Sequence, residues 1–113
     1  MINFHPDYKI IDMHTHMGLE YCLYYESHDA DGIVRYMDEV GIEMILSAPV
    51  EDLMDGSSRR AQIHDAMRRY PDRIKGYYCV NPQLGYSPEG IAAAFREHPG
   101  YVGLKFLPDY HRV

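Results

Sequence analysis

The sequence predicts an α/β fold built from parallel strands that alternate with helices. Four apolar stretches of strand length are separated by three stretches with helical periodicity, in the order β-α-β-α-β-α-β. Each strand–helix unit takes about thirty residues, which is the size of a βαβ repeat. No linker or low-complexity tract interrupts the pattern, so residues 1–113 are expected to form a single domain with a real core.

The first strand is predicted over residues 9–18, where apolar residues lead into two histidines one residue apart. Side chains two residues apart on an extended strand point the same way, with Cα atoms roughly 6–7 Å apart. One face is therefore expected to carry Ile10, Asp12, His14 and His16. Two imidazoles this close can converge on one metal ion, since Zn–N distances are about 2.0–2.1 Å. Each imidazole could equally be hydrogen-bonded to the backbone, and both interpretations stay open here.

A tyrosine-rich loop from residue 18 to about residue 29 separates this strand from the first helix. The loop would lie over the candidate ligands, although ordinary polar loop chemistry explains its composition equally well. The helix is predicted over residues 31–41, with Gly41 as its C-terminal stop. Its apolar face consists of Ile33, Met37 and Val40.

A second strand is predicted over residues 43–50, a continuous apolar run that is typical of a parallel sheet. Residues 55–58 are a polar loop in which a serine is placed to cap the next helix. That helix is expected to end at Tyr70, because Pro71 follows. His64 lies beside its apolar stripe and is expected on the helix surface. The buried stripe consists of Ile63, Ala66, Met67 and Tyr70.

The remaining elements continue the alternation. A third strand covers residues 74–82, and a fourth strand covers residues 101–108. The helix between them opens with Ser87 and Pro88 and runs to His98.

Lys105 is the one charged residue inside the fourth predicted strand. Its ammonium can extend to the rim of the sheet, as long charged side chains commonly do. Alternatively it faces the same cavity as His14 and His16, either as an anion-binding group or as a lysine carboxylated to a metal-bridging ligand. The sequence leaves both placements open.

Composition and charge argue against several classes of protein. The net charge of −6 and the lack of a basic cluster disfavour a nucleic-acid or anionic-membrane partner. The first residues show no signal-peptide pattern, and no apolar run has the length of a membrane span. Cys22 and Cys79 are too few and too scattered for a disulfide framework. We expect two unpaired thiols in a reducing cytoplasm.

Five motifs in a fixed order extend the His-x-His pattern over nearly the whole chain. They are IDMHTH at 11–16, MDEVGI at 37–42, YPDR at 70–73, VNP at 80–82 and GLKFLP at 103–108. Together they resemble the amidohydrolase superfamily of metal-dependent hydrolases, in the branch that also contains metal-dependent decarboxylases. The fold of that family is a (β/α)8 barrel, which takes about 200–250 residues. The resemblance therefore implies that this chain forms strands one to four, about half of a TIM-like barrel.

The resemblance implies a hydrolase of small molecules that needs a divalent metal, first of all zinc, with His14 and His16 as ligands. A metal-activated water would attack an amide, ester or related bond, and an aspartate would move the proton. Asp12 is expected either to hydrogen-bond and orient the metal ligands or to be a polar group of the core whose hydrogen bonds are made within the protein. A metal-dependent decarboxylase and a non-catalytic half-barrel that serves for association are the alternatives.

In this family the other metal ligands and the catalytic acid/base lie on later strands, so the resemblance assigns no catalytic residue here. His111, just past the fourth strand, is not taken as a substitute for them. The chain alone is expected to be an inactive N-terminal fragment. Its open sheet edges are expected to make the isolated chain self-associate, either as two copies that complete a barrel or as an aggregate.

Overall fold

Four parallel strands form a single sheet in the computed structural model, and each strand pairs with the next one along the chain. The structure describes residues 7–18, 27–55 and 60–113. The strands are β1 (Ile10–Met17), β2 (Ile42–Pro49), β3 (Ile74–Cys79) and β4 (Tyr101–Lys105). The helices are α1 (Ala30–Val40), α2 (Val50–Asp55), α3 (Arg60–Arg69), α4 (Pro88–Glu97) and α5 (Pro108–His111). The predicted α/β class is confirmed.

Two of the helices are bounded by residues with suitable capping chemistry. Asp29 accepts a hydrogen bond from the Gly32 amide at 2.7 Å and caps the start of α1. Gly41 ends the same helix with φ of 79°, a left-handed conformation that glycine adopts without strain. At the start of α4, Ser87 accepts a hydrogen bond from the Gly90 amide at 3.1 Å. Both helices therefore lie within one or two residues of their predicted positions.

The main core lies between one face of the sheet and the connecting helices. Met37 of α1 and Ile63 of α3 are buried there against Ile45 of β2 and Ile74 of β3. Burial of these apolar surfaces is the dominant favourable contribution to folding. Tyr101 of β4 extends the same core to the far edge of the sheet.

The opposite side of the sheet, which we call the inner face, carries a second and smaller cluster. Ala48 lies an odd number of residues after the core residue Ile45, and Cys79 lies an odd number after Ile74. Because side chains alternate along a strand, Ala48 and Cys79 point to the side opposite the main core. The buried members are Ala48, Leu53 and Cys79, and Tyr77 and Leu107 pack against them. The inner face is the surface that would line the interior of a closed barrel.

Two short α-helices at the carboxyl ends of strands, and a 3-10 turn at Pro82–Leu84, were not predicted. α2 begins at Val50, the residue assigned to the end of the second strand, and α5 begins at Pro108, the residue assigned to the end of the fourth. Each is too short to show helical periodicity in the sequence. α2 is stabilised instead by tertiary contacts, since Asp52 and Leu53 are both buried. The predicted serine cap and most of the tyrosine-rich loop lie outside the described residues.

Cys79 is a free, buried thiol, as predicted, whereas Cys22 lies outside the described residues. No helix in the part of the chain that the structure describes has the length and apolar character needed to cross a membrane.

Candidate functional site

β1 contains a bulge at the residues that precede the histidine pair. Asp12 pairs with Ile45 and Thr15 pairs with Ser47, so Met13 and His14 together stand opposite Leu46 alone. Such an extra residue kinks a strand and locally interrupts its alternation.

The bulge changes which side chains share a face. Asp12 pairs with Ile45, a residue of the main core, and so points to the helix side of the sheet. His16 pairs with Ala48 and points to the inner face. The prediction that Asp12 shares a face with the two histidines is therefore wrong, because simple alternation does not continue through the bulge.

His14 and His16 nevertheless lie side by side. Their ring centroids are 5.3 Å apart, with an angle of 73° between the ring planes. His14 is exposed and His16 is half-buried near the carboxyl end of β1.

A hydrogen bond orients the ring of His16, whose Nδ1 lies 3.1 Å from the carbonyl oxygen of Ala48. A carbonyl oxygen only accepts, so Nδ1 carries the proton and the lone pair of the neutral ring is on Nε2. Metal-binding histidines commonly have their second nitrogen held in this way.

Two further hydrogen bonds stabilise the backbone around the bulge. The carboxylate of Asp12 accepts a hydrogen bond from the backbone amide of His14 at 3.0 Å. The hydroxyl of Thr15 donates to the carbonyl oxygen of Leu46 at 3.0 Å. Asp12 thus contacts the main chain of a candidate ligand, and its carboxylate shapes the strand.

Lys105 also lies on the inner face, because it pairs with Cys79 at the end of β4. Its Nζ is 5.9 Å from the centre of the Tyr77 ring. The Tyr77 hydroxyl in turn donates a hydrogen bond to the carbonyl oxygen of Met13 at 3.0 Å. Burial lowers the pKa of Lys105 from its usual value. Tyr77 therefore links the edge strand that carries Lys105 to the histidine bulge.

Sequence reasoning did not single out Tyr77. Its odd spacing from Ile74 would place it on the inner face, but its contact with β1 passes over the whole width of β2. The contact depends on the small side chain of Ala48 and on the bulge in β1. The bulge arises from the pairing of β1 with β2, so the sequence of β3 alone does not reveal the contact.

Asp52 and Arg60 form a buried ion pair between α2 and α3. The sequence did not predict this pair. The carboxylate of Asp52 is fully buried and accepts a hydrogen bond from Nε of Arg60 at 3.0 Å. Arg60 also donates to the Tyr78 hydroxyl at 2.7 Å and to the Cys79 carbonyl at 3.2 Å. Burial, followed by the nearby charge of Asp52, raises the pKa of the Cys79 thiol. The burial of Cys79 therefore disfavours its thiolate form.

His111 belongs to the packing of α5. Its side chain is buried, its Nδ1 accepts a hydrogen bond from the Leu107 amide, and its Nε2 lies 2.6 Å from the Leu53 carbonyl oxygen. Both ring nitrogens are thus occupied by backbone groups. The structure gives His111 a structural position, in line with its exclusion as a ligand.

His64 is less exposed than predicted. Its ring stacks on that of His98 with centroids 3.5 Å apart, and its Nε2 lies 2.8 Å from the Tyr101 hydroxyl. Burial lowers the pKa of His64, and the neighbouring His98 and Arg60 lower it further, whereas Glu97 acts in the opposite direction. The folded state therefore favours the neutral ring.

This shift predicts a loss of stability in mild acid. The unfolded chain binds a proton at this residue from about pH 6.5 downward, before the folded chain does. We expect the free energy of unfolding, measured by urea titration, to fall between about pH 7.5 and pH 5.5. His64→Gln should remove part of this fall. An equal fall in the variant and in the wild-type chain would show that another group is responsible.

The described residues contain no group of three or more histidine, cysteine or acidic side chains placed to hold a metal ion. His14 and His16 are two suitable donors with neighbouring rings, and a catalytic zinc usually has three protein ligands. The pair therefore fits a divalent metal as part of a larger ligand set.

One comparison with known proteins, that with solved structures, found a similar fold. No family model matches the chain, and no curated protein matches it. The chain is similar to the crystal structure of a probable 2-pyrone-4,6-dicarboxylic acid hydrolase from Acinetobacter baumannii with citric acid bound, with a TM-score of 0.61 and 18% sequence identity. The match covers 93% of this chain and 44% of the other.

That structure is a TIM-barrel hydrolase, and this chain spans less than half of its length. The likeness confirms the predicted fold class, which is parallel (β/α) repeats that form about half of a TIM-like barrel.

Proposed function

We propose that this chain supplies part of the active site of a metal-dependent, amidohydrolase-type hydrolase, with His14 and His16 as two of the metal ligands. The observation that supports the proposal is the 5.3 Å separation of the two imidazole rings near the carboxyl end of β1, where His16 pairs with Ala48 of the inner-face cluster. Active sites of TIM barrels lie at this end of the strands. Zinc is the first candidate, because imidazole suits it well.

When bound, a divalent ion would polarise the scissile bond and activate a water molecule. The contribution of this chain is to orient the donors. The Ala48 carbonyl holds Nδ1 of His16, and the Asp12 carboxylate holds the backbone of His14. No acid/base residue is assigned, and the remaining ligands and the proton-transfer group would come from strands that complete the barrel.

Lys105 would bind an anionic group of the substrate from the same inner face. The likeness to a dicarboxylic acid hydrolase with bound citric acid supports a small, carboxylate-bearing substrate. A carboxylated Lys105 that bridges metal ions is the alternative role for this side chain, and it would require the neutral amine that a lowered pKa favours.

A second candidate function is a non-catalytic half-barrel that associates with another chain. The edge strands support it, since Ile11 and Met13 of β1 and Val102 and Leu104 of β4 are each at least 45% exposed. A metal-dependent decarboxylase would use the same two histidines, so it differs from the first candidate only in the reaction.

Zinc titration of the full chain by calorimetry tests the proposal. We expect His14→Ala and His16→Ala each to weaken zinc binding at least tenfold, since each removes one of two donors. His98→Gln is the matched control, because this histidine stacks on His64 on the helix side of the sheet and should leave zinc binding unchanged. Equal zinc affinity in the wild-type chain and both alanine variants would contradict a metal site at this pair.

A further inference from the structure

Tyr77 and Asp12 hold the two ends of one peptide group. The Tyr77 hydroxyl donates to the carbonyl oxygen of Met13, and the Asp12 carboxylate accepts from the amide of His14. That carbonyl and that amide belong to the same planar peptide unit, which lies inside the bulge of β1. Residues in a bulge leave the regular ladder, so side chains have to supply the hydrogen bonds that a neighbouring strand would otherwise provide.

Small residues on the inner face leave space for the Tyr77 ring to reach the Met13 carbonyl. Ala48 is fully buried in the cluster against which Tyr77 packs. A Cβ atom at Gly103 would lie 3.3 Å from the Tyr77 ring, so the absence of a side chain there leaves room for it. With small residues on both neighbouring strands, the ring can lie along the sheet and reach from β3 to β1.

We propose that Tyr77 is a positioning residue for the histidine pair. By fixing the plane of the Met13–His14 peptide group together with Asp12, it sets the direction of the His14 side chain and hence the separation of the two imidazole rings. The ring of Tyr77 also lies beside the Lys105 ammonium. Tyr77 therefore contacts both Lys105 and the strand segment that carries the histidine pair. The effect on metal affinity rests on the proposed function, whereas the effect on ring separation does not.

The test is Tyr77→Phe in the full chain, which keeps the ring and removes only the hydroxyl. The first readout is the nuclear Overhauser effect between the His14 and His16 ring protons without metal. The second is zinc affinity by calorimetry. Tyr78→Phe is the matched control, because it removes the hydroxyl that accepts from Arg60. We expect Tyr77→Phe to lose the inter-ring effect and to bind zinc about tenfold more weakly, as for other groups that orient ligands. The control should change neither.

Unchanged ring contacts in Tyr77→Phe would overturn the inference. Should the wild-type chain bind no zinc, the proposed metal site fails, and the inter-ring effect alone decides the role of Tyr77. Asp12→Ala releases the other end of the same peptide group and provides a second measurement. If both residues act on that group, the zinc-affinity loss in the double variant should be smaller than the sum of the single losses, and full additivity would contradict the inference.

Discussion

Asp52→Ala is expected to lower the free energy of unfolding by about 3–5 kcal/mol, which is the usual cost of removing one partner from a buried ion pair. The carboxylate of Asp52 is fully buried, and the side chain of its partner Arg60 is 22% exposed. Arg60 cannot easily turn to solvent, because it also donates to the Tyr78 hydroxyl and the Cys79 carbonyl and lies over the Tyr78 ring. The variant would leave its charge without this counter-ion.

Urea unfolding followed by circular dichroism measures this loss. Asp65→Ala is the matched control, because Asp65 forms exposed ion pairs with Arg68 and Arg69 on the same helix as Arg60. Exposed pairs are worth less than about 1 kcal/mol, so the control should unfold nearly as the wild-type chain does. A loss below about 1 kcal/mol in Asp52→Ala would show that the buried pair contributes little net stability.

The 113-residue chain is also expected to self-associate through its two edge strands. β1 and β4 are the edges of the sheet, and both expose large apolar side chains. Four parallel strands cannot close on themselves at the tilt and stagger of an eight-stranded barrel. A second copy would supply four more, and pairing β1 of each copy with β4 of the other would cover both edges.

Sedimentation velocity over a range of concentrations tests this expectation. The wild-type chain should sediment as a dimer or larger species, and a variant with Ile11→Lys and Val102→Lys should sediment as a monomer, since charged side chains on edge strands block edge pairing. Tyr36→Lys, an equally exposed position on α1, is the control and should associate as the wild-type chain does. A stable wild-type monomer at every concentration would contradict the prediction.

The sequence by itself predicted the elements whose determinants are local. Asp29, Gly41 and Ser87 bound their helices through hydrogen bonds and backbone conformations that involve only nearby residues. The second strand could be predicted because its burial leaves a long apolar run. That His14 and His16 lie two residues apart on one strand could likewise be predicted, whereas the arrangement of their rings could not.

Only the tertiary structure decided how the candidate site is built. The bulge in β1 arises from the register with β2, which lies some thirty residues further along the chain, and it moved Asp12 away from the histidine face. Tyr77 reaches the bulge from β3, and the Asp52–Arg60 pair joins α2 to α3. These contacts depend on distances between strands and on burial, which no periodicity along a single strand can encode.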